Sequence, residues 1–437
     1  MSTAPLRLAL VGLGNVGTGV AQVLMHQTDR ICHRSGRTIQ LQRVVVRDLA
    51  KPRELSLPRE LLTDDWQAAV HDPNVDVVVE LMGGIHPARE VVLAALAAGK
   101  DVVTANKALL CQCGDEIFAA ARQSGRTVAF EAAVAGGVPI IAAVGQSLAG
   151  NQIQTIQAIL NGTSNYILSQ MLLEHQSYGD ALGQAQQLGF AEADPTLDVD
   201  GTDAAQKLTL LVQLAFGTRV PVSQFHVSGI DCLDQKDIQY ASSLGYTIKL
   251  LAQAKLVQQR LELSVRPTLV RQDRPIAQTH GPFNAILLEG DVVGPVWFSG
   301  RGAGQLPTAS AVLADIIDLA IGRSQLTFRQ FDLWGARPAF EVAPPSELTS
   351  RFYLRLSVED RPHVMADVTH ILGRHGISLA SVIQPESPEV SGSDAVPIVP
   401  LIIMTHRTSV GALQAADAEL EALASIKTPR VCLAVAG

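Results

Sequence analysis

The chain has no long apolar run. Among its 437 residues nothing approaches the roughly 20 consecutive apolar residues of a membrane-spanning helix. It has no basic stripe either. With 34 lysines and arginines against 42 aspartates and glutamates, the formal charge is −8, and nucleic-acid binding has no electrostatic footprint. Only five cysteines occur, Cys32, Cys111, Cys113, Cys232 and Cys432. The C-x-C at 111–113 has neither zinc nor redox spacing, so inert thiols are expected. No H-E-x-x-H occurs among the 11 histidines. Aromatics make up 4%, which suits close-packed α/β layers better than an aromatic-rich sandwich. The N-terminus lacks a charged n-region and a small-residue cleavage site, so no signal peptide is expected. The expectation is a soluble protein of the cytoplasm, in which the sequon at 161–163 carries no glycan.

What is present is acid concentrated in one stretch. Residues 192–208 hold Glu192, Asp194, Asp198, Asp200, Asp203 and Lys207. Pro195 and Gly201 mark the first half as loop, and Asp200 or Thr202 can cap a following helix. On that helix Asp203 and Lys207 are four residues apart and share a face. A lysine held by acids can protonate a developing alkoxide. The simpler reading is a solvated acidic loop with one surface ion pair.

The rest of the chain supplies the context. Residues 6–11 form an apolar run expected of a buried parallel strand. Gly12, Leu13, Gly14, Asn15, Val16 and Gly17 follow, then a helical stretch. This is G-x-G-x-x-G between strand and helix: Gly12 for the tight turn, Gly14 for approach to a pyrophosphate, Gly17 for packing. Further strands are predicted at 41–46, 75–81, 101–103 and 127–134, alternating with helices, which reads as a doubly wound sheet. Strand 41–46 ends in Arg47 and Asp48. An acid there suits the NAD ribose and an arginine the NADP phosphate, so cofactor choice stays open with a tilt to NADP. Thr104, Asn106 and Lys107 lie at a strand's carboxyl end, where ligands of open parallel sheets sit. Residues 131–139 read as an exit loop or as a cation site built of carbonyls. A strand near 154–160 precedes a polar turn at 161–165 that binds a ligand or caps a helix. Residues 286–289 and 292–293 read as strands, and the glycine-rich 300–310 as a second cofactor-facing helix start or plain loop.

The expected domains are 1–140 for the nucleotide, 141–336 for substrate, catalysis and dimerisation, a linker at 337–350, and 351–437 as a separate unit. The helix near 307–322 is expected to return to the nucleotide domain. The last unit reads β-α-β-β-α-β, ferredoxin-like, with a polar loop at 385–395.

These residues carry a resemblance. G-x-G-x-x-G at 12–17, VTANKALL at 103–110, EAAVAGGVP at 131–139, LNGTSNYIL at 160–168, the acidic segment, GRGAGQLPTASAV at 300–312 and EDRPHVMADV at 359–368 together resemble homoserine dehydrogenase with a C-terminal ACT domain. The resemblance covers essentially the full length. It implies an α/β protein: an N-terminal Rossmann-type domain, an α/β catalytic and dimerisation domain, and a ferredoxin-like ACT domain. The implied reaction is NAD(P)H-dependent interconversion of L-aspartate 4-semialdehyde and L-homoserine (EC 1.1.1.3), which serves threonine, methionine and isoleucine synthesis. By the same resemblance Lys207 is the proton donor, Asp203 its partner and Lys107 a second active-site lysine. Glu192 and Asp198 take the substrate ammonium, and Gly162 and Thr163 meet the substrate. Thr104, Lys107, Gly189 and Gly304 join Gly12–Gly17 and Arg47 at the cofactor. Glu131, Val134, Gly136 and Val138 match a carbonyl-lined sodium site, which turns the reading of 131–139 from loop to cation site. Asp360, His363 and Val364 are the effector candidates, with threonine the expected effector. A parallel second-domain sheet and the ACT unit imply a homodimer or homotetramer.

Two rivals remain. An acyl-phosphate-forming semialdehyde dehydrogenase needs a cysteine nucleophile and a histidine base, and only Cys111 and Cys113 are placed for it. A non-catalytic nucleotide-binding amino-acid sensor would have no use for Lys207 and its acids.

Overall fold

The computed structural model describes residues 4–53, 55–331, 333–335, 340–385 and 396–436. It is an α/β protein. By internal contacts it divides into two compact units. One comprises Met1–Ile156, Gln206–Pro221 and Phe283–Phe340; the other comprises Gln157–Ala205, Val222–Pro282 and Glu341–Gly437.

The first unit is built on a parallel sheet. Its strands are β1 (Leu6–Val11), β2 (Ile39–Val45), β3 (Leu62–Thr63), β4 (Val77–Glu80), β5 (Asp101–Thr104) and β6 (Val128–Ala129). Their order is β3-β2-β1-β4-β5-β6, the doubly wound order with its switch point at β1/β4. β1 and β4 are apolar at nearly every position because helices cover both faces. Leu8, Leu10, Val44, Val77, Val79 and Val103 form the core, and Val312 and Ile316 of helix Gln305–Ile321 complete it. That helix therefore packs on the nucleotide-type sheet. β6 stops far short of the expected 127–134. Glu131 begins a helical turn instead, and its buried carboxylate accepts the amides of Ile141 and Ala142 at 2.9 and 2.8 Å. Phe283–Gly290 and Gly294–Arg301 form an antiparallel hairpin. Val292 and Val293, expected in a strand, sit in its exposed turn.

The second unit is not the parallel sheet expected. Tyr246–Val257 and Arg260–Arg271 pair antiparallel along their whole length. Arg260–Arg271 then runs parallel to Ile426–Val435 through Thr268 and Leu269. The tail has strands Thr349–Glu359, Leu379–Ile383, Ile398–Thr405 and Ile426–Val435, with helices Val364–Arg374 and Val410–Glu421. Counted along the tail, the strand order is 4-1-3-2, all antiparallel, which is ferredoxin-like. The polar loop at 386–395 lies outside the described residues, as do 336–339 of the expected linker. The rest of the linker is docked: Glu341–Val342 pairs with Arg260–Leu261, and Arg260 meets Glu347 at 2.8 Å.

Arg355 binds the tail into this unit. Its side chain is buried, donating to Asp237 at 2.6 and 2.8 Å and to Asp234 at 3.1 Å. Asp234 and Asp237 also form the capping box of helix Gln235–Ser243. Burial pushes the Asp237 carboxyl up, and the guanidinium opposes it. Removing one member of a buried pair strands the other and costs about 3–5 kcal/mol. Arg355→Met should therefore lower the urea midpoint strongly. Adding Asp237→Leu should restore part of the loss, because no unpaired charge then stays inside. An unchanged midpoint in the single variant would show that Arg355 is not a structural anchor.

Candidate functional site

The glycine turn has the shape a pyrophosphate needs. Gly12 lies at φ +104°, and a Cβ there would stand 2.6 Å from the Leu81 carbonyl oxygen. A Cβ on Gly17 would stand 2.1 Å from the Gly12 oxygen. At Gly14 nothing lies within 4 Å, so the backbone is open to a ligand. Leu13 completes the turn, and Asn15, Val16 and Gly17 begin helix α1 (Asn15–His26), whose free amides attract anions. Arg47 and Asp48 follow β2 and are exposed. Gly304, at φ +116°, directly precedes helix Gln305–Ile321 and is also exposed.

A residue missed by the sequence reading holds the neighbouring strand ends. Glu80 closes β4, fully buried. One oxygen accepts Met82 N–H at 2.8 Å and the other the Thr104 hydroxyl at 2.6 Å. Thr104 Oγ1 accepts the Asn106 amide at 3.0 Å, and Asn106 Nδ2 donates to Gly84 O at 2.6 Å. Asn106 Oδ1 caps the helix Lys107–Ser124 through Leu109 N–H. The network fixes the turn that presents Lys107. Burial pushes the Glu80 carboxyl up against these bonds. The signal in the sequence is one acid at the end of an otherwise apolar strand.

One turn after Lys107, Cys111 meets the helix Thr202–Phe216. Its Sγ lies 3.2 Å from Gln206 O and 3.1 Å from Thr209 Oγ1. Lys207 follows Gln206, so the two lysines sit on touching helices. Burial pushes the Cys111 thiol up to about 11, the opposite of what a thiolate nucleophile requires.

In the second unit the polar turn at 161–165 is a helix cap and more. Asn161 Oδ1 accepts Ser164 N–H at 2.7 Å at the start of helix Gly162–Leu173. Its Nδ2 donates to Asp198 at 2.7 Å and to Asp203 at 2.8 Å. Ser164 Oγ donates to Asp198 O at 2.7 Å, and Thr163 Oγ1 to Phe190 O at 2.6 Å. The turn thus gathers Gly162, Thr163, Asp198 and Asp203. Gln186 Nε2 donates to Glu192 O at 3.2 Å, leaving the Glu192 side chain exposed. Gly189, exposed at φ +72°, turns the chain before Phe190. Asp203 lies one turn before Lys207 on a single helix.

A second residue unread in the sequence stands behind this turn. Lys249 is fully buried, and its Nζ donates to Asn165 Oδ1 at 3.1 Å and Thr279 O at 2.5 Å. Asn165 Nδ2 in turn donates to Thr279 O and Gly281 O. Burial pulls the Lys249 amine down to about 7. Within an apolar strand pattern, that lysine carries no chemical signal of its own.

The other sequence candidates divide between two places. The buried backbone of Val134, Gly136 and Val138 lies beside Glu131, and Val138 O accepts Ile140 N–H at 2.8 Å. Glu131 N–H donates to buried Asp315 at 2.9 Å, and burial pushes Glu131 up to about 7. In the tail, Asp360 and His363 are exposed and Val364 opens a helix. His363 is its left-handed N-cap at φ +75°. Asp360 Oδ1 accepts Gln384 Nε2 at 3.2 Å.

Comparison with known proteins identifies the family. Residues 139–317 match the family model described as homoserine dehydrogenase, 12–131 its NAD-binding domain, and 352–425 the ACT domain. Homoserine dehydrogenase of Pseudomonas aeruginosa is 41% identical over 439 aligned positions, covering 99% of each chain. That of Synechocystis is 42% identical, covering 97% of each. The crystal structure of homoserine dehydrogenase from Thiobacillus denitrificans superposes with a TM-score of 0.91 at 42% identity, over 99% of this chain and 98% of that one. A hyperthermophilic archaeal homoserine dehydrogenase in complex with NADPH gives 0.62 at 25% identity, over 73% of this chain and 98% of that one.

Lys249 makes stability depend on pH. Burial holds its amine near 7, well below the ordinary value of a lysine amine. Between these values the unfolded chain binds a proton that the native chain lacks, so stability rises with pH across the window. Lys249→Met should flatten the plot of urea midpoint against pH from about 7 to 10. Equal slopes for both proteins would mean that the amine titrates elsewhere.

Proposed function

The chain belongs to the homoserine dehydrogenase family, and we propose how its residues divide the work of that reaction. The enzyme is an NAD(P)-dependent oxidoreductase that interconverts L-homoserine and L-aspartate 4-semialdehyde. One observation carries the assignment of roles: Asn161 holds both Asp198 and Asp203 at the head of the helix that bears Lys207. Asp198 and the exposed Glu192 take the substrate ammonium. Gly162 and Thr163 border the substrate, with Thr163 anchored to Phe190 O. Lys207 meets the carbonyl oxygen and gives it a proton as negative charge grows there. Asp203 orients Lys207 from the preceding turn. Lys107, fixed by the Glu80–Thr104–Asn106 network, is the second cation beside the reacting groups.

The turn at Gly12, Leu13, Gly14, Asn15, Val16 and Gly17 holds the dinucleotide, with Thr104, Lys107, Gly189 and Gly304 as further contacts. When bound, the nicotinamide supplies or accepts the hydride. Arg47 is the clamp for a 2′-phosphate, which favours NADP over NAD. Glu131 with the carbonyls of Val134, Gly136 and Val138 offers oxygen donors only, a set that fits a hard cation such as sodium. A cation there would also ease the crowding of Glu131 and Asp315. The elevated Cys111 thiol disfavours the acyl-phosphate reading.

The ACT domain serves regulation, with threonine as the effector at Asp360, His363 and Val364. The free amides of the helix that starts at Val364 suit a carboxylate, and Asp360 suits an ammonium. Sheet-edge pairing into a homodimer or homotetramer belongs to the same reading.

Lys207→Ala should lower turnover about 10²–10⁴-fold, the usual worth of general acid–base catalysis, with NADPH affinity nearly unchanged. Turnover close to that of the parent would remove Lys207 from the mechanism. Arg47→Ala should weaken NADPH far more than NADH, because a charge-assisted bond contributes roughly 1.5–3 kcal/mol. Equal loss for both cofactors would leave Asp48 as the ribose contact. Asp360→Ala should blunt inhibition by threonine at unchanged basal rate. It is a cleaner test than truncation after Val342, which would also strip Asp237 of its buried cation. An unaltered threonine response would place the effector elsewhere.

A further inference from the structure

A cavity of about 410 Å³ opens in the second unit. Its walls are strand Arg260–Arg271, strand Ile426–Val435 and helix Val410–Glu421, and its floor is apolar, with Phe352, Leu354 and Leu413. None of Asp360, His363 and Val364 lines it. Its size falls in the range of small-molecule sites, about 300–1,000 Å³.

Three charged side chains line it, Arg266, Asp417 and Arg430, and Arg266 is the one with no ion-pair partner among the described residues. The guanidinium carbon lies 5.7 Å from the centroid of the Phe352 ring. Its Nε is buried without a hydrogen-bond partner, and among the described residues no carboxylate pairs with it. Burial alone pulls its pKa down. A desolvated guanidinium with no anion is costly. The neighbouring acid is already engaged: Asp417 pairs with Arg430 at 3.1 Å. Cys432 lies near both charges, and the surrounding protein pushes its thiol up to about 12. It opens onto the cavity, where it adds a small, un-ionised wall.

We propose that this cavity binds a small aliphatic carboxylate, its anion on Arg266 and its hydrocarbon body on the floor of Phe352, Leu354 and Leu413. Two chemical sources fit, an aliphatic α-amino acid and the simple acid without the amine. The amine would face Asp417. Because the walls come from the hairpin strand and from the tail's strand and helix, a bound carboxylate joins them and stabilises the native chain by mass action. The site needs neither the catalytic assignment nor the threonine reading.

The test uses the full-length protein, with L-leucine and 4-methylpentanoate as probes. Thermal midpoints are measured against probe concentration, with L-leucinamide and sodium chloride as controls. The parent should show a saturable rise with at least one carboxylate and none with the amide or the salt. A rise with leucine alone identifies the amino-acid source, and a rise with 4-methylpentanoate identifies the simple acid. Arg266→Gln should weaken the apparent affinity about 10–100-fold, as expected for loss of charged hydrogen bonds. Cys432→Phe, which fills the cavity and leaves Arg266 in place, should abolish the response. Circular dichroism shows that each variant is folded, and a variant that does not fold leaves the other to decide. No saturable rise in the parent, or equal affinity in a folded variant, would overturn the proposal.

Discussion

A single carboxamide organises the acidic region. Asn161 spends its oxygen on the first turn of one helix and its two N–H bonds on Asp198 and Asp203. Neutral amide donors reach both acids at once and fix their spacing. A lysine in that position would neutralise the acids and compete with a substrate ammonium. An alanine would leave a helix uncapped and remove the tie between the two carboxylates. The loop before Asp203 is closely packed as well. Gly201, at φ +90°, passes Val227 and the Ser228 oxygen at distances that leave little space for a side chain.

The parallel sheet was legible because its signals are local. Each buried strand is a short apolar run, and Gly12 and Gly17 have no tolerable alternative. The helix Val364–Arg374 was legible to the residue. The second sheet was not, because strand direction depends on partners far along the chain. Nothing in the composition of 246–271 says that its two halves fold back on each other. β6 was overextended for a similar reason. Residues 130–134 look like strand, but Glu131 finds two amides to cap ten residues later, and that long-range bond ends the strand. Val292 and Val293 look like strand on propensity, yet the hairpin needs a turn there.

The candidate site was legible in part. Motif spacing placed Asp203 and Lys207 on one helix, as the fold has them, and the strand-end rule pointed to Thr104 and Lys107, which lie at the end of β5 and the start of the next helix. The residues behind them were not read. Glu80 ends an apolar strand and Lys249 sits within one, and a charged side chain there reads as an edge or an outward-facing position. Only the fold shows that both point inward and that each holds a motif residue, Thr104 in one case and Asn165 in the other. The same applies to Arg355. It alternates correctly for a strand, and its role appears only when Asp237, more than a hundred residues earlier, is found against it.

Each compact unit is assembled from three separate stretches of chain. The sheet that begins at Leu6 has an unfinished hydrophobic face until Val312 and Ile316 reach it. During synthesis, then, the nucleotide-binding sheet leaves the ribosome long before its last covering helix exists. Nearly two hundred residues must follow β6 before that face is closed. A growing chain of this kind cannot complete its first unit before starting the second. It carries an open apolar surface through most of its translation, and folding is concentrated near the end of elongation.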